Sequence, residues 1–262
     1  MSEYTNVKIT LEDCVAVLTI DHPPANAFNW ATLNDFDAAI DELLANDQVK
    51  VIVITGAGQF AFVAGADIHE IMAVKDKPDE ARAFIVKGQE LFSKIEASPK
   101  PVIAAIDAVA LGGGLELAMA CHMRILSDRA RVGQPESNLG IIPGWGGTQR
   151  LARLVGPGKA LEMILTGDVV DAPEAYRLGL ANKVAPAGQV LHEAMGLAKK
   201  IAGKSKLVNK AALRAVFNGL KMSLADGLRY EADQFTGLAG SHDMTEGLTA
   251  FLEKRQPKFT DS

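Results

Sequence analysis

Glu116 and Glu136 stand twenty positions apart, and three consecutive glycines, Gly112, Gly113 and Gly114, end two residues before the first of them. The triplet lies between Val102 to Ala105, an apolar run that reads as a buried strand, and Leu115 to Cys121, which reads as the start of a helix. The first amides of a helix have no intrahelical partner, and the macrodipole is positive there. Such a junction therefore suits an oxygen that gains negative charge, and glycine lets that oxygen come close. Glu116 falls in the first turn among Leu115, Leu117, Ala118 and Met119, an apolar setting in which a carboxylate needs a reason. Glu136 follows Gly133, Gln134 and Pro135 in a turn after the β-like pair Arg131 and Val132. Singly, each has an ordinary explanation, Glu116 as complement to the helix dipole and Glu136 as a solvated loop residue. A second small-residue turn, Ala64 to Asp67, leads into a short helix containing Ile68, Ile71 and Met72 and offers another set of helix-start amides.

Other chemistries find no support. His22, His69, His122, His192 and His242 are scattered without ligand spacing, so no metal site is expected. There is no GxSxG elbow, and Cys121 reads as a buried helix residue rather than an activated thiol. Gly56, Gly58 and Ala61 match GxGxxA, but a dinucleotide turn needs a helix at the second glycine, whereas Gln59 to Val63 reads as extended. The triplet fails the same test, since Leu117 stands where the third fingerprint glycine would be.

The composition fits a globular protein: 48% apolar residues in 262, enough for one large domain or a domain with an extension. A net charge of −5 without a compensating basic run argues against nucleic acid as a partner. Cys14 and Cys121 share no CxxC spacing and the N-terminus has no apolar h-region, which points to a reducing, cytoplasmic setting. Pro101 to Cys121 approaches membrane length, but Asp107, Glu116 and the glycines mark it as strand, loop and helix.

The elements that must position these groups alternate, which gives an α/β class. Val7 to Leu11 and Val15 to Ile20 form a hairpin, and a helix capped by Asn29 carries Trp30, Leu33, Phe36, Ile40, Leu43 and Leu44 on one face. Val51 to Thr55 is a buried strand and Asp79 to Ala97 a helix. Leu139 to Arg150 is a glycine-rich loop that becomes a helix through Leu151 and Leu154. Helices follow over Gly158 to Leu165, Pro173 to Leu180 and Val190 to Ala202, with Val184 in a short strand, and no internal repeat emerges. Beyond Lys206 the pattern is helical only, over Val208 to Leu220, Leu224 to Ala239 and Thr245 to Lys254, with Ser223 and Asp226 as a capping-box pair.

Nearly end to end, the chain resembles the enoyl-CoA hydratase/isomerase (crotonase) family. The motifs that carry the likeness are PPANAF (Pro23 to Phe28), AGADI (Ala64 to Ile68), KPVIAAIDAVALGGGLELAMAC (Lys100 to Cys121), GQPESNLGIIPGWGGTQRL (Gly133 to Leu151) and FLEKR (Phe251 to Arg255). The resemblance implies a spiral of repeated ββα units over residues 1–203 and a helical region over 204–262 that builds trimers or hexamers made of two trimers. It implies an acyl-CoA thioester substrate, no cofactor, and a backbone oxyanion hole at Ala66 and Gly113. Glu116 and Glu136 match the two glutamates of members that hydrate, whereas members that only isomerise usually keep the later one. Ala64, Ala66, Asp67, Ile68, His69 and Gly113 match residues along the acyl-CoA path, and Phe251 and Lys254 match residues that reach the CoA of a neighbouring subunit. Two positions depart from the pattern: His69 stands where Lys is frequent, and His122 where Asp is common after the Cys. The activity implied is hydration of a trans-2-enoyl-CoA in fatty acid β-oxidation, with an enoyl-CoA isomerase or another acyl-CoA enolate enzyme as the alternative, and a non-catalytic CoA- or RNA-associated relative as the reading from another class.

Overall fold

A computed structural model describes residues 3–262. The hairpin forms from β1 (Val7–Glu12) and β2 (Val15–Ile20), with Asp13 in the turn at φ 54°. Asn29 caps α1 (Trp30–Ala45), its side chain accepting from the Thr32 N–H at 2.8 Å. From β2 the sheet continues in parallel through β3 (Val51–Gly56), then β5 (Val102–Ile106), β7 (Met123–Ser127) and β10 (Lys183–Ala185). A second, smaller sheet runs β4 (Ala61–Val63), β6 (Val109–Leu111), β8 (Arg131–Gly133) and β9 (Val169–Asp171), parallel except for the last pair.

Each turn of the chain lays one strand in the large sheet and a short strand in the small one, then passes into helix. Thus β3 and β4 lead to α2 (Ile68–Val74) and α3 (Pro78–Glu96), and β5 and β6 lead to α4 (Gly113–Ala120). After β7 and β8 come a 3-10 turn at Pro135–Leu139, α5 (Gly147–Val155) and α6 (Pro157–Thr166). β9, α7 (Ala172–Arg177), β10 and α8 (Val190–Ala202) close the series. The spiral is therefore a repeat in space, although no repeat is visible in the residues. Strands of three residues are too short to show an alternation, so the sequence reading runs from Val102 straight to the triplet and misses β6, and it misses β9 likewise; the five-residue β7 is missed too.

Alternate residues of the large sheet go to opposite faces. Leu18, Ile20, Ile52, Ile54, Ala104 and Ile106 join the main core, while Val17, Val51, Val53, Ile103 and Ala105 pack on Val190, Ala194 and Ala198 of α8. With both faces covered, these strands read as continuous apolar runs. All eight residues of α4 are buried. Its C-terminal carbonyls are satisfied by the buried Arg124, whose guanidinium donates to Cys121 O at 2.7 Å and to Ala118 O at 3.3 Å.

His122 also has a structural place. Its Nδ1 accepts from the Val102 N–H at 2.9 Å, so the proton of the neutral ring sits on Nε2, which faces Glu96 O at 3.2 Å. Burial pulls this imidazole down to about 4 from an ordinary 6.5. Between those values the unfolded chain binds a proton that the folded chain refuses, so stability falls as pH drops from 6.5 toward 4. Urea midpoints measured across that range should fall less steeply for His122→Gln than for the native chain. Parallel profiles would show that the ring takes up its proton in the folded state.

The last helices are α9 (Lys206–Gly219), α10 (Leu224–Thr236) and α11 (His242–Leu252). Neither α9 nor α10 has a buried residue, and Leu220, Leu224 and Phe235 on and beside them are exposed. At Ser223 the hydroxyl accepts from the Asp226 N–H at 3.2 Å and donates to the Asp226 carboxylate at 2.5 Å. The tail folds back to the core: Asp243 accepts from the Thr260 and Asp261 amides, and Asp261 pairs with Lys50 at 2.7 Å. No helix among the described residues is long and apolar enough to cross a membrane.

Candidate active site

The N-terminus of α4 carries the first donor. Gly112 caps the helix at φ 51°, a conformation that favours glycine, and donates its N–H to Gly133 O at 3.0 Å. A Cβ on Gly112 would lie 2.9 Å from Glu136 Oε1, so the bare backbone is what lets the Glu136 turn approach. Gly113 opens the helix with an N–H that has no partner of its own within it. The second donor comes from the turn after β4. Phe28 forms a parallel bridge with Ala66, donating to Gly65 O at 2.9 Å and accepting from the Asp67 N–H at 2.8 Å. Because Phe28 bonds to the two residues flanking Ala66, the Ala66 N–H points away from it. A Cβ built on Gly113 falls 3.4 Å from that nitrogen, so the two amides are neighbours.

Glu116 is 2% exposed, which disposes of the idea that it merely decorates a helix start. Its Oε1 accepts from the Trp145 N–H at 2.7 Å and the Gly147 N–H at 2.6 Å, bonds supplied by the glycine-rich loop before α5. Among the described residues no donor reaches Oε2. Burial pushes the carboxyl up to about 8 despite these two amides, and the nearby Glu136 adds to the shift. Glu136, in the 3-10 turn, is half-buried, and burial raises it to about 7. The wholly buried Gln134 supports it. With its amide oriented to suit its neighbours, the nitrogen donates to Oε1 at 2.9 Å and Oε2 at 3.1 Å. The sequence reading does not single out Gln134, because its burial against Glu136 is visible only in the structure.

Both glutamates face one small pocket of about 90 Å³ together with Ala66 and Gly113. Of the other residues expected on the acyl-CoA path, Ala64 and Ile68 line it. Asp67 instead caps α2, its carboxylate accepting from the His69 N–H at 2.8 Å, and His69 itself is exposed beyond the pocket. Phe251, 81% exposed, and Lys254, at φ 57°, lie at the end of α11 and do not line the pocket within this chain. Cys121 is buried, its thiol pushed up to about 12. Among the described residues no group of three His, Cys, Asp or Glu side chains is placed to hold a metal ion.

Two carboxyls of raised affinity for protons can hold a water between them and exchange protons with it near neutral pH, one taking and one giving. Two convergent amides at a helix start can hold an oxygen that becomes negative.

Comparison with known proteins agrees with this geometry. The family model described as enoyl-CoA hydratase/isomerase matches residues 10–262. A crotonyl-CoA hydratase of Syntrophomonas wolfei is 44% identical over 257 residues, 98% of each chain. A short-chain-enoyl-CoA hydratase of Clostridium acetobutylicum is 42% identical over 97% of each. Among solved structures, an enoyl-CoA hydratase from Bacillus anthracis superposes with a TM-score of 0.94 at 35% identity, covering 98% of this chain and 100% of that one. Matched by the family model over residues 10–262, by curated relatives at more than 40% identity over nearly the whole chain and by solved structures of the same fold, the chain belongs to the enoyl-CoA hydratase/isomerase family.

Proposed function

We propose that the protein is an enoyl-CoA hydratase that adds water across the C2=C3 bond of a trans-2-enoyl-CoA, reversibly and on one face, to give a 3-hydroxyacyl-CoA. The observation that carries this reading is the pair of carboxyls, both with raised pKa, in one pocket. Moving a double bond takes one proton shuttle, whereas hydration must both deprotonate water and protonate C2. The thioester oxygen lies between the Ala66 and Gly113 amides, so the charge that builds as water attacks C3 is stabilised by two fixed donors, each worth about 3 kcal/mol in comparable sites. Between pH 7 and 8 the coupled pair shares one proton; with that proton on Glu136, the ionised Glu116 holds the water through Oε2 and takes its proton, and Glu136 delivers its own to C2. Water and enoyl thioester together account for every atom and electron of the product, so no cofactor takes part. The reaction belongs to fatty acid metabolism, and the two unpaired cysteines support a cytoplasmic setting.

The test is a direct assay with crotonyl-CoA, following loss of the conjugated thioester and formation of 3-hydroxybutyryl-CoA. Conversion of a 3-enoyl-CoA without any hydration of crotonyl-CoA would replace the hydratase reading by an isomerase. The exposed apolar side chains of residues 204–262 support a role for that region in assembly with three-fold symmetry, as a trimer or a pair of trimers. Light scattering at micromolar concentration should give a mass of three or six chains, and a monomer would refute it. In that assembly Lys254 meets a CoA phosphate of a neighbouring subunit, and Lys254→Ala should raise KM several-fold with little change in kcat, since the contact exists in ground and transition states alike.

A further inference from the structure

The small pocket has an open side and a closed one. Ala64, Ile68, Leu139 and Ile142 at one end are exposed, while Gly113, Glu116 and Trp145 at the other are buried. Trp145 is the residue met at the closed end. It also lines a second cavity of about 610 Å³, several times larger than the pocket. That cavity is bounded by Met119, Cys121, Leu154 and Phe217 together with Ser93 and Arg150. Trp145 therefore borders both the catalytic groups and a space into which a longer chain would fit.

The fold fixes this ring from several sides. A Cβ on Gly113 would lie 2.5 Å from Trp145 Cζ3, and one on Gly88 of α3 would lie 2.6 Å from Cε2, so the indole spans from one helix to the other between two glycines. Its Nε1 donates to Phe84 O at 3.3 Å, and its rings meet Phe28, Phe84 and Phe92 edge to face at 6.0, 5.3 and 5.7 Å. A side chain so enclosed does not swing aside for a substrate. The benzo edge is the part beside Gly113, and the Gly113 amide holds the thioester oxygen in the reading given above.

On that reading of the reaction, we infer that Trp145 is the specificity-determining wall of the acyl pocket, restricting the enzyme to short-chain 2-enoyl-CoA thioesters. An acyl tail anchored at the Ala66 and Gly113 amides runs into the indole after a few carbons. Replacing the ring by a smaller side chain joins the pocket to the larger cavity. Each methylene that then finds apolar surroundings is worth roughly a fourfold gain in kcat/KM.

The experiment is to measure kcat/KM for 2-enoyl-CoA substrates of four to ten carbons with the native enzyme, Trp145→Leu, Trp145→Phe and the double variant Trp145→Leu/Leu154→Trp. The ratio between chain lengths is read rather than absolute rates, because Glu116 Oε1 is bound to the Trp145 amide and any shift there affects all substrates together. The native enzyme should favour four carbons over ten by about tenfold or more. Trp145→Leu should raise the ten-to-four ratio by about tenfold or more, and Trp145→Phe should raise it less. Filling the cavity from its opposite wall with Leu154→Trp should cancel the gain. If melting shows that Trp145→Leu is unfolded, Trp145→Phe carries the test by the same ratio. A native enzyme that hydrates four to ten carbons equally, an unchanged ratio in the folded Trp145 variants, or a gain that survives Leu154→Trp would each overturn the inference. A native protein that hydrates no chain length would instead dispose of the hydratase reading, so the two failures are distinct.

Discussion

Glu116→Gln should lower kcat for crotonyl-CoA hydration by about two to four orders of magnitude, the usual loss when a positioned proton-transfer partner is removed. The amide oxygen can still accept from the Trp145 and Gly147 N–H groups, so the loop before α5 stays in place and the change is confined to the position of Oε2. Glu136→Gln should cost a similar factor, and the double variant should be little worse than the poorer single, because two carboxyls working on one water are not independent. Stability should move the other way. The folded carboxyls hold their protons up to about 8 and about 7, while in the unfolded chain they release them near 4.5. Their contribution is fully present below 4.5 and is lost as pH rises through 7 and 8. Thermal melts should show each Gln variant gaining on the native enzyme between pH 5 and 8, by an amount on the order of 1 to 3 kcal/mol for the buried Glu116. Full crotonyl-CoA hydration by Glu116→Gln would leave Glu136 as the sole catalytic carboxyl and return Glu116 to a helix-start carboxylate with no catalytic part.

Ala66→Pro should reduce kcat/KM by about two to three orders of magnitude, since proline has no N–H to give the thioester oxygen. Ala66 is a cleaner place to ask this than Gly113. Any side chain at Gly113 meets the Trp145 ring at 2.5 Å, so Gly113→Pro would mix the loss of a donor with a displaced indole. The Ala66 N–H is turned away from its bridge to Phe28, and the flanking bonds at Gly65 and Asp67 do not use it. Circular dichroism fixes whether the variant is folded. A folded Ala66→Pro enzyme with near-native turnover would remove this amide from the oxyanion hole.

Glu116, the triplet and the Ala64 to Asp67 turn are legible in the sequence because each is a local breach of pattern, charge in an apolar run or small residues before a helix, whereas Glu136, in a polar turn, is singled out only by the resemblance to the family. The long elements are legible for the opposite reason, as α1 and α3 keep one period over many residues and β3 and β5 are apolar runs. What could not be read is what closes the site in space. Nothing near Glu116 in the chain announces that Trp145 and Gly147 will hold its oxygen, a contact across 29 and 31 residues. Gln134 looks like any loop amide until its burial against Glu136 is seen. Of the small sheet, β4 and β8 show only as an extended stretch and a β-like pair, and β6 and β9 escape, because each strand is three residues long and pairing rather than composition makes it a strand. Asp67 and His69 sit in the right motif, but the cap that starts α2 uses the Asp67 side chain and leaves His69 outside the pocket.

The contrast between α4, buried at all eight positions, and α9 and α10, buried at none, sets two very different lifetimes for backbone protection. Amides of α4 can meet solvent only when the whole sheet opens, so their deuterium uptake should report global unfolding. Amides of α9 and α10 in a lone chain are held by little beyond their own hydrogen bonds and should exchange orders of magnitude sooner. Glu116 is thus mounted on a wholly buried helix, whereas the terminal helices are the segments expected to exchange first.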